Sequence, residues 1–284
     1  MANVRIFTNS VSDLTPALAE EFGITLVPDA VIFGDEQLLN NIDITPPVLY
    51  ERLAKAEKLP TTSQPSIGLY AEYFRKAEGA DAIICICLTS RMSGSYNTAC
   101  AAAKLLAEQG FPTPIHVYDS LQICFTLALL AIEAGRMAQR GADAQEILDY
   151  LDRAHGHMNC FFVTESLQYA RKGGRSGAIR LLAADLLKIK PILTFTDGMI
   201  HDDGFVRTVD AGIQKFLDNY KKLAQKGTDV FIYHSQREEL ANAFADRLRA
   251  IDPEATVRVE WVGAVIGIYT GPGCIGIAFR EPHA

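Results

Sequence analysis

No two cysteines of this sequence stand at C-x-x-C spacing, although there are six, and the six histidines show no metal-ligand spacing. These absences speak against a zinc ribbon, a thioredoxin-like redox centre or a histidine-built metal site. Cys85 and Cys87 alternate within an apolar run and face the same way, while Cys100, Cys124, Cys160 and Cys274 are scattered. All read as small buried hydrophobes of a reducing cytoplasm. His155 and His157 flank Gly156 in polar surroundings and read as solvated loop residues. The phosphate-loop pattern G-x-x-x-x-G-K-[ST] and the nucleophile elbow G-x-S-x-G are both missing. Positive charge is also short. The 27 Lys and Arg against 34 Asp and Glu give a formal charge of −7, which argues against binding nucleic acid or anionic membrane nonspecifically. No basic N-terminal segment leads into an apolar core, and no apolar run approaches membrane-spanning length. A cytoplasmic protein without a transmembrane segment is expected.

What the chain does have is apolar material for two cores. Its 284 residues are 49% hydrophobic and 21% charged, which suits two folded units and excludes disorder. The stretch from Asp81 to Leu106 is the most informative. Ile83 to Leu88 is a continuous apolar run of strand length, as expected of a parallel strand covered on both faces. From Asn97 onward the alanines and Leu105-Leu106 predict a helix. Between them lies a hydroxyl-rich turn of Thr89, Ser90, Ser93, Gly94 and Ser95, with Arg91 its only charge. A strand feeding such a turn and then a helix offers N–H groups and hydroxyls to an anion. Without a Lys, the turn suits a carboxylate or neutral polar head better than a triphosphate.

Val4 to Thr8 is a second strand, followed by the polar turn Asn9 to Asp13 and a helix opened by Thr15 as N-cap and Pro16 at its first position. A third hydroxyl cluster, Thr61 to Ser66, precedes the apolar and aromatic run Ile67 to Phe74. Ile115 to Tyr118 reads as a strand, with Asp119-Ser120 capping an apolar helix from about Leu121 to Arg140. Alternation of this kind implies a parallel sheet with helices on both faces. The second half is less regular. A helix over 144–154 capped by Asp143, strands at 159–164, 192–195, 230–234, 257–262 and 274–279, and helices at 176–188 and 237–251 predict a mixed sheet. Thr196-Asp197-Gly198 reads as a hairpin turn leading to Ile200. The expected fold class is α/β with two α/β domains, 1–155 with the parallel sheet and 156–284 with the mixed one.

Six blocks in order resemble the DegV family: T-N-S-x-S-D-L at 8–14, T-S-Q-P-S at 62–66, M-S-G-S-Y at 92–96, G-G-R at 173–175, L-L-K-I-K-P-I-L at 186–193 and T-G-P-G at 270–273. The resemblance runs from about residue 4 to residue 279. It implies a bacterial lipid-binding protein that holds one long-chain fatty acid in a tunnel between the domains, without a cofactor or metal. It further implies a non-catalytic subunit whose bound carboxylate is phosphorylated by a separate ATP-dependent fatty acid kinase, feeding phospholipid synthesis. Carried over by position, Thr62 and Ser93 are the head-group hydroxyls, and the Gly94-Ser95 backbone completes the cradle. Arg175 matches a position that meets the kinase.

One position departs from the pattern. Family members often carry His before T-G-P-G, where this chain has Tyr269. A phenol donates one hydrogen bond but titrates near pH 10 and cannot act as a near-neutral base. Simpler roles exist for each residue: Ser93 as a helix cap, Thr62 as turn chemistry before Pro65, Arg175 as a solvated charge. Phe161, Phe162 and Phe195 fit either a tunnel wall or ordinary core. The rival function is a serine-dependent hydrolase or phosphotransferase, with His116, His201 or His234 brought to a serine by the fold.

Overall fold

The computed structural model describes residues 2–172 and 189–282. Strand β1 (Val4–Asn9) leads through a 3-10 turn to helix α1 (Pro16–Glu21) and β2 (Ile24–Val27). There follow β3 (Ala30–Phe33), β4 (Glu36–Leu39), α2 (Pro46–Lys55), β5 (Thr61–Ser63) and α3 (Ile67–Arg75). Next come β6 (Ala82–Cys87), α4 (Ser95–Glu108), β7 (Ile115–Asp119), α5 (Cys124–Gln139) and α6 (Ala144–Ala154). The chain continues with β8 (Met158–Val163), α7 (Gln168–Lys172), β9 (Lys190–Thr196) and β10 (Met199–Val206). It closes with α8 (Val209–Leu223), β11 (Asp229–His234), α9 (Glu238–Ile251), β12 (Thr256–Trp261), α10 (Ala264–Thr270) and β13 (Ile275–Arg280).

The first sheet, in the order β2-β1-β6-β7, is parallel throughout. All six residues of β6 are buried, which is why its sequence is apolar without alternation. Helices α3 and α4 cover one face through Tyr70, Phe74, Ala99 and Leu106. The second sheet, β10-β9-β8-β13-β11-β12, is mixed, with only β11 and β12 parallel. Its outer face lies under α8 and α9, where Phe216 and Phe244 meet Phe161 and Phe279. The α/β class with one parallel and one mixed sheet is therefore as the sequence pattern predicts.

Between the sheets runs α5. It is apolar nearly all round, and Phe125, Leu127, Ala128, Leu130, Ala131 and Ile132 are all buried. One side meets Ile6, Ile84 and Ile86 of the first sheet, the other Cys160, Phe231 and Ala278 of the second, in one continuous core. The Phe125 ring stacks on Phe231 at 4.9 Å and on Tyr233 at 5.0 Å. Asp229 ties the arrangement at its edge, accepting from Arg136 of α5 and from Arg258 of β12.

Several local expectations hold in detail. Thr15 accepts from the Leu18 N–H at 3.2 Å with Pro16 opening α1. Asp143 and Glu146 cap α6 reciprocally, each accepting the other's backbone N–H at 2.9 Å. Asp197 and Gly198 both take left-handed φ, 50° and 73°, and form the tight turn joining the antiparallel pair β9 and β10. Two expectations do not hold. The helix expected from Leu121 begins at Cys124, because Leu121 and Cys124 adopt φ of 50° and 52°. Asp119 instead accepts from the Ser90 and Leu121 amides at 3.1 and 3.3 Å and braces the turn after β6. A small antiparallel sheet, β4-β3-β5, was also not anticipated. The helix expected at 176–188 lies outside the described residues.

At Gly135 α5 packs closely on the Phe22 carbonyl, just after α1. A Cβ built there would sit 2.4 Å from the Phe22 carbonyl oxygen. Gly135→Ala is expected to destabilise the protein by about 1–3 kcal/mol through overpacking, despite the roughly 1 kcal/mol helix advantage of Ala over Gly. A fall in the urea midpoint at constant m checks this.

Candidate functional site

The turn after β6 is held from two sides. The Thr89 amide donates to the Gln122 carbonyl at 2.9 Å. The Thr89 hydroxyl donates to the Gly198 carbonyl at 3.1 Å, and Arg91 donates to the Asp197 carbonyl at 2.7 Å. The tip of the β9–β10 hairpin is thus fastened to a turn of the other sheet. A Cβ at Gly198 would lie 2.5 Å from the Thr89 oxygen, so only glycine permits this approach at that φ. Arg91, the turn's one charge, is spent on the hairpin.

Within the turn Ser93 shares a hydrogen bond with Ser95, Oγ to Oγ at 3.0 Å, and accepts from the Ser95 amide at 3.2 Å. Across from it stands β5, which pairs with β3 so that Thr62 lies opposite Val31. The Thr62 hydroxyl and the Tyr269 phenol, 207 positions apart in sequence, are 2.5 Å from each other. Gln64 donates to Thr98 at 2.6 Å, and Thr98 to the Gly94 carbonyl at 3.1 Å, closing the side of the turn.

These groups edge a cavity of about 370 Å³ that runs between the sheets, within the size range of small-ligand pockets. Its walls are apolar, with Leu88, Ile123, Phe162, Leu193, Phe195 and Val265 among them. Among the described lining residues there is no Lys or Arg. Thr62, Ser93, Gly94 and Tyr269 all line it; Ser95 is buried behind Ser93 as its hydrogen-bond partner. Arg175 lies outside the described residues. Phe162 and Phe195 face the cavity, whereas Phe161 points into the opposite core. His116, His201 and His234 are not in the lining; His234 is buried against Trp261 and accepts from the Arg237 amide. No group of three metal-ligating side chains occurs among the described residues, and no described helix is long and apolar enough to cross a membrane.

Asp29, which no sequence motif marked, also lines the cavity. It is buried, accepting from the Ser10 hydroxyl at 3.1 Å and donating its amide back to Ser10 at 2.9 Å. Burial pushes its carboxyl up to about 7, against the pull of the Ser10 hydroxyl and with the help of nearby Asp13. Burial likewise pushes Asp13 up to about 7, against the Cys124 thiol and the Gly263 amide.

The family described as uncharacterised protein, DegV family, matches residues 3–281. The chain belongs to the DegV family. A DegV domain-containing protein of Halalkalibacterium halodurans is 35% identical over 283 residues, 98% of this chain and 99% of the relative. Two solved structures share the fold. A fatty acid (stearic acid)-binding protein from Eubacterium ventriosum gives a TM-score of 0.88 at 28% identity, over 99% of this chain and 98% of that one. DegV, a fatty acid binding protein from Bacillus subtilis, gives 0.87 at 28% identity, over 99% and 100%.

In this DegV protein the two buried acids set a pH dependence. An acid whose folded-state pKa exceeds its unfolded one holds its proton more tightly when folded. Stability is then greatest at low pH and is lost as pH rises from 3.8 toward about 7. Asp29→Asn removes one such ionisation. Its melting temperature relative to wild type is expected to be higher at about pH 8 than at about pH 5, by on the order of 2–4 °C per kcal/mol recovered. Parallel melts at the two pH values check this.

Proposed function

We propose that this protein binds one long-chain fatty acid in the cavity and presents its carboxylate to a separate ATP-dependent kinase subunit that forms the acyl phosphate. The observation that carries the reading is an apolar cavity lined by the Thr62, Ser93 and Tyr269 hydroxyls, Thr62 bonded to Tyr269, without a cation among the described lining residues. In this reading the units 1–155 and 156–284 each supply one wall. Sequestering a tail of about sixteen carbons removes about fourteen methylenes from water, on the order of 11 kcal/mol before the costs of association. The tail supplies most of the affinity. The head group then needs enough hydrogen bonds to avoid a buried, unsatisfied carboxyl, which hydroxyls provide. Hydroxyl donors leave the carboxylate free of a tight ion pair and open to a phosphoryl donor. The protein itself carries out no step of that transfer and needs no cofactor. Arg175 is assigned to the kinase contact.

Mass spectrometry of the organic extract of the purified protein tests the ligand class; a stoichiometric fatty acid is expected, and an extract empty even after incubation with fatty acids overturns it. Ser93→Ala is expected to weaken fatty-acid binding about 10- to 100-fold, the worth of one hydrogen bond to a charged group, in a fluorescent displacement assay. Arg175→Ala is expected to lower kinase-dependent phosphorylation while acyl binding stays intact.

A further inference from the structure

The head-group reading leaves one acid of the cavity wall without a role. Asp29 stands just before β3, and its carbonyl accepts the Asn40 amide at 2.8 Å. That bond continues by one residue the ladder in which Ala30 faces Leu39. Side chains alternate along an extended strand, so Asp29 leaves the small sheet on the same face as Val31. Thr62 of β5 lies directly opposite Val31 and shares that face. Asp29 and Thr62 are therefore diagonal neighbours, about 7–8 Å apart, and both line the cavity. Asp29 is 4% exposed. It is also fixed in place: its Oδ2 accepts from Ser10 Oγ at 3.1 Å, and the same Oγ accepts the Asp29 amide at 2.9 Å.

Ionisable groups face Asp29 from the neighbouring elements: Asp13 from the turn after β1, Tyr70 from α3, Cys87 from β6, and Tyr269 from α10 by way of Thr62. None of these can carry a positive charge, and the described lining residues include no Lys or Arg. A long-chain acid arriving at Thr62 and Ser93 brings a carboxylate beside this buried carboxyl. Two like charges so close, in apolar surroundings and with no cation described between them, are costly, and a proton on one of them removes the cost. Hydroxyl donors at Thr62 and Ser93 favour the charged form of the ligand. Burial already pushes Asp29 up to about 7 before a second charge is added, so Asp29 is the better proton acceptor.

We propose that Asp29 is the proton-holding residue of the head-group site: the fatty acid binds as its carboxylate, and Asp29 takes up one proton from solvent as it enters. The inference rests on the fatty-acid reading above. The only bond formed is the O–H of the Asp29 carboxyl, and the proton comes from water or buffer. Above about pH 7 the unliganded protein has lost this proton and must recover it to bind. Affinity for the acid is therefore greatest below that pH and falls as pH rises. A neutral head group on the same chain meets no such requirement.

Calorimetric titration of the delipidated full-length protein with hexadecanoic acid, at about pH 8 in buffers of different ionisation enthalpy, counts the protons. Close to one proton per ligand is expected for the wild type and close to none for Asp29→Asn. Displacement assays at about pH 6.5 and about pH 8.5 give the matching affinities. The wild-type Kd for hexadecanoic acid is expected to rise about tenfold or more between them, and that of Asp29→Asn to stay within about twofold. Hexadecanol, the neutral probe, is expected to bind both proteins equally well at the two pH values. A purely structural role for Asp29 would shift Kd alike at both pH values and take up no proton. Absence of proton uptake by the wild type overturns the proposal. Uptake that persists in Asp29→Asn also overturns it, as does a hexadecanol Kd that rises as steeply as that of the acid. If hexadecanoic acid binds without a proton, only the role of Asp29 fails; if it does not bind at either pH, the fatty-acid reading fails with it.

Discussion

Helix α5 is buried over most of its surface, and that constraint organises the molecule. A helix apolar nearly all round must be covered on most sides, and here two sheets of different topology do the covering. The parallel sheet presents Ile6, Ile84 and Ile86 to it; the mixed sheet presents Cys160, Phe231 and Ala278. Because one helix serves both sheets, their separation is set by the width of a helix and its side chains. At the N-terminus of α5 the gap continues as the cavity, with Ile123 and Cys124 at its wall. The cavity is where the shared helix stops.

The chemistry around that gap is economical with charge. Thr62, Ser93 and Tyr269 offer neutral donors, Arg91 is committed to a backbone carbonyl, and the acids Asp13 and Asp29 are held up to about 7 by burial. Low dielectric strengthens each hydrogen bond made there and penalises each one missed. A ligand with a polar head and an apolar tail meets both conditions at once.

What could be read from the sequence was what depends on near neighbours. The caps at Thr15 and Asp143, the Asp197-Gly198 turn and the buried strand, read at 83–88 and found at 82–87, follow from residue types a few positions apart. The hydroxyl turns were visible because serine and threonine cluster in them. The sheet formed by β3, β4 and β5 was not visible, since its strands are three or four residues long and joined by pairing across the α2 segment. The start of α5 was misplaced because left-handed φ at Leu121 and Cys124 leaves no signature in residue type. Asp29 stands between two apolar runs as an ordinary turn residue would, and only the fold places it at the cavity. The Thr62–Tyr269 contact joins residues from opposite ends of the chain, so only the family resemblance drew attention to both.

The clasp between the β9–β10 hairpin and the turn after β6 gives the turn that carries Ser93 a property neither sheet has alone. The Thr89 hydroxyl and the Arg91 guanidinium donate to the Gly198 and Asp197 carbonyls. Any displacement that slides one sheet past the other must break both bonds before it reaches Ser93, four residues beyond Thr89. The turn therefore works as a register mark between the two sheets: it has its shape when they are aligned and loses it when they are not. The shape of the turn that carries Ser93 and the alignment of the two sheets become one variable, so under the proposed function a docking partner that shifts either sheet would act on a bound carboxylate without touching it.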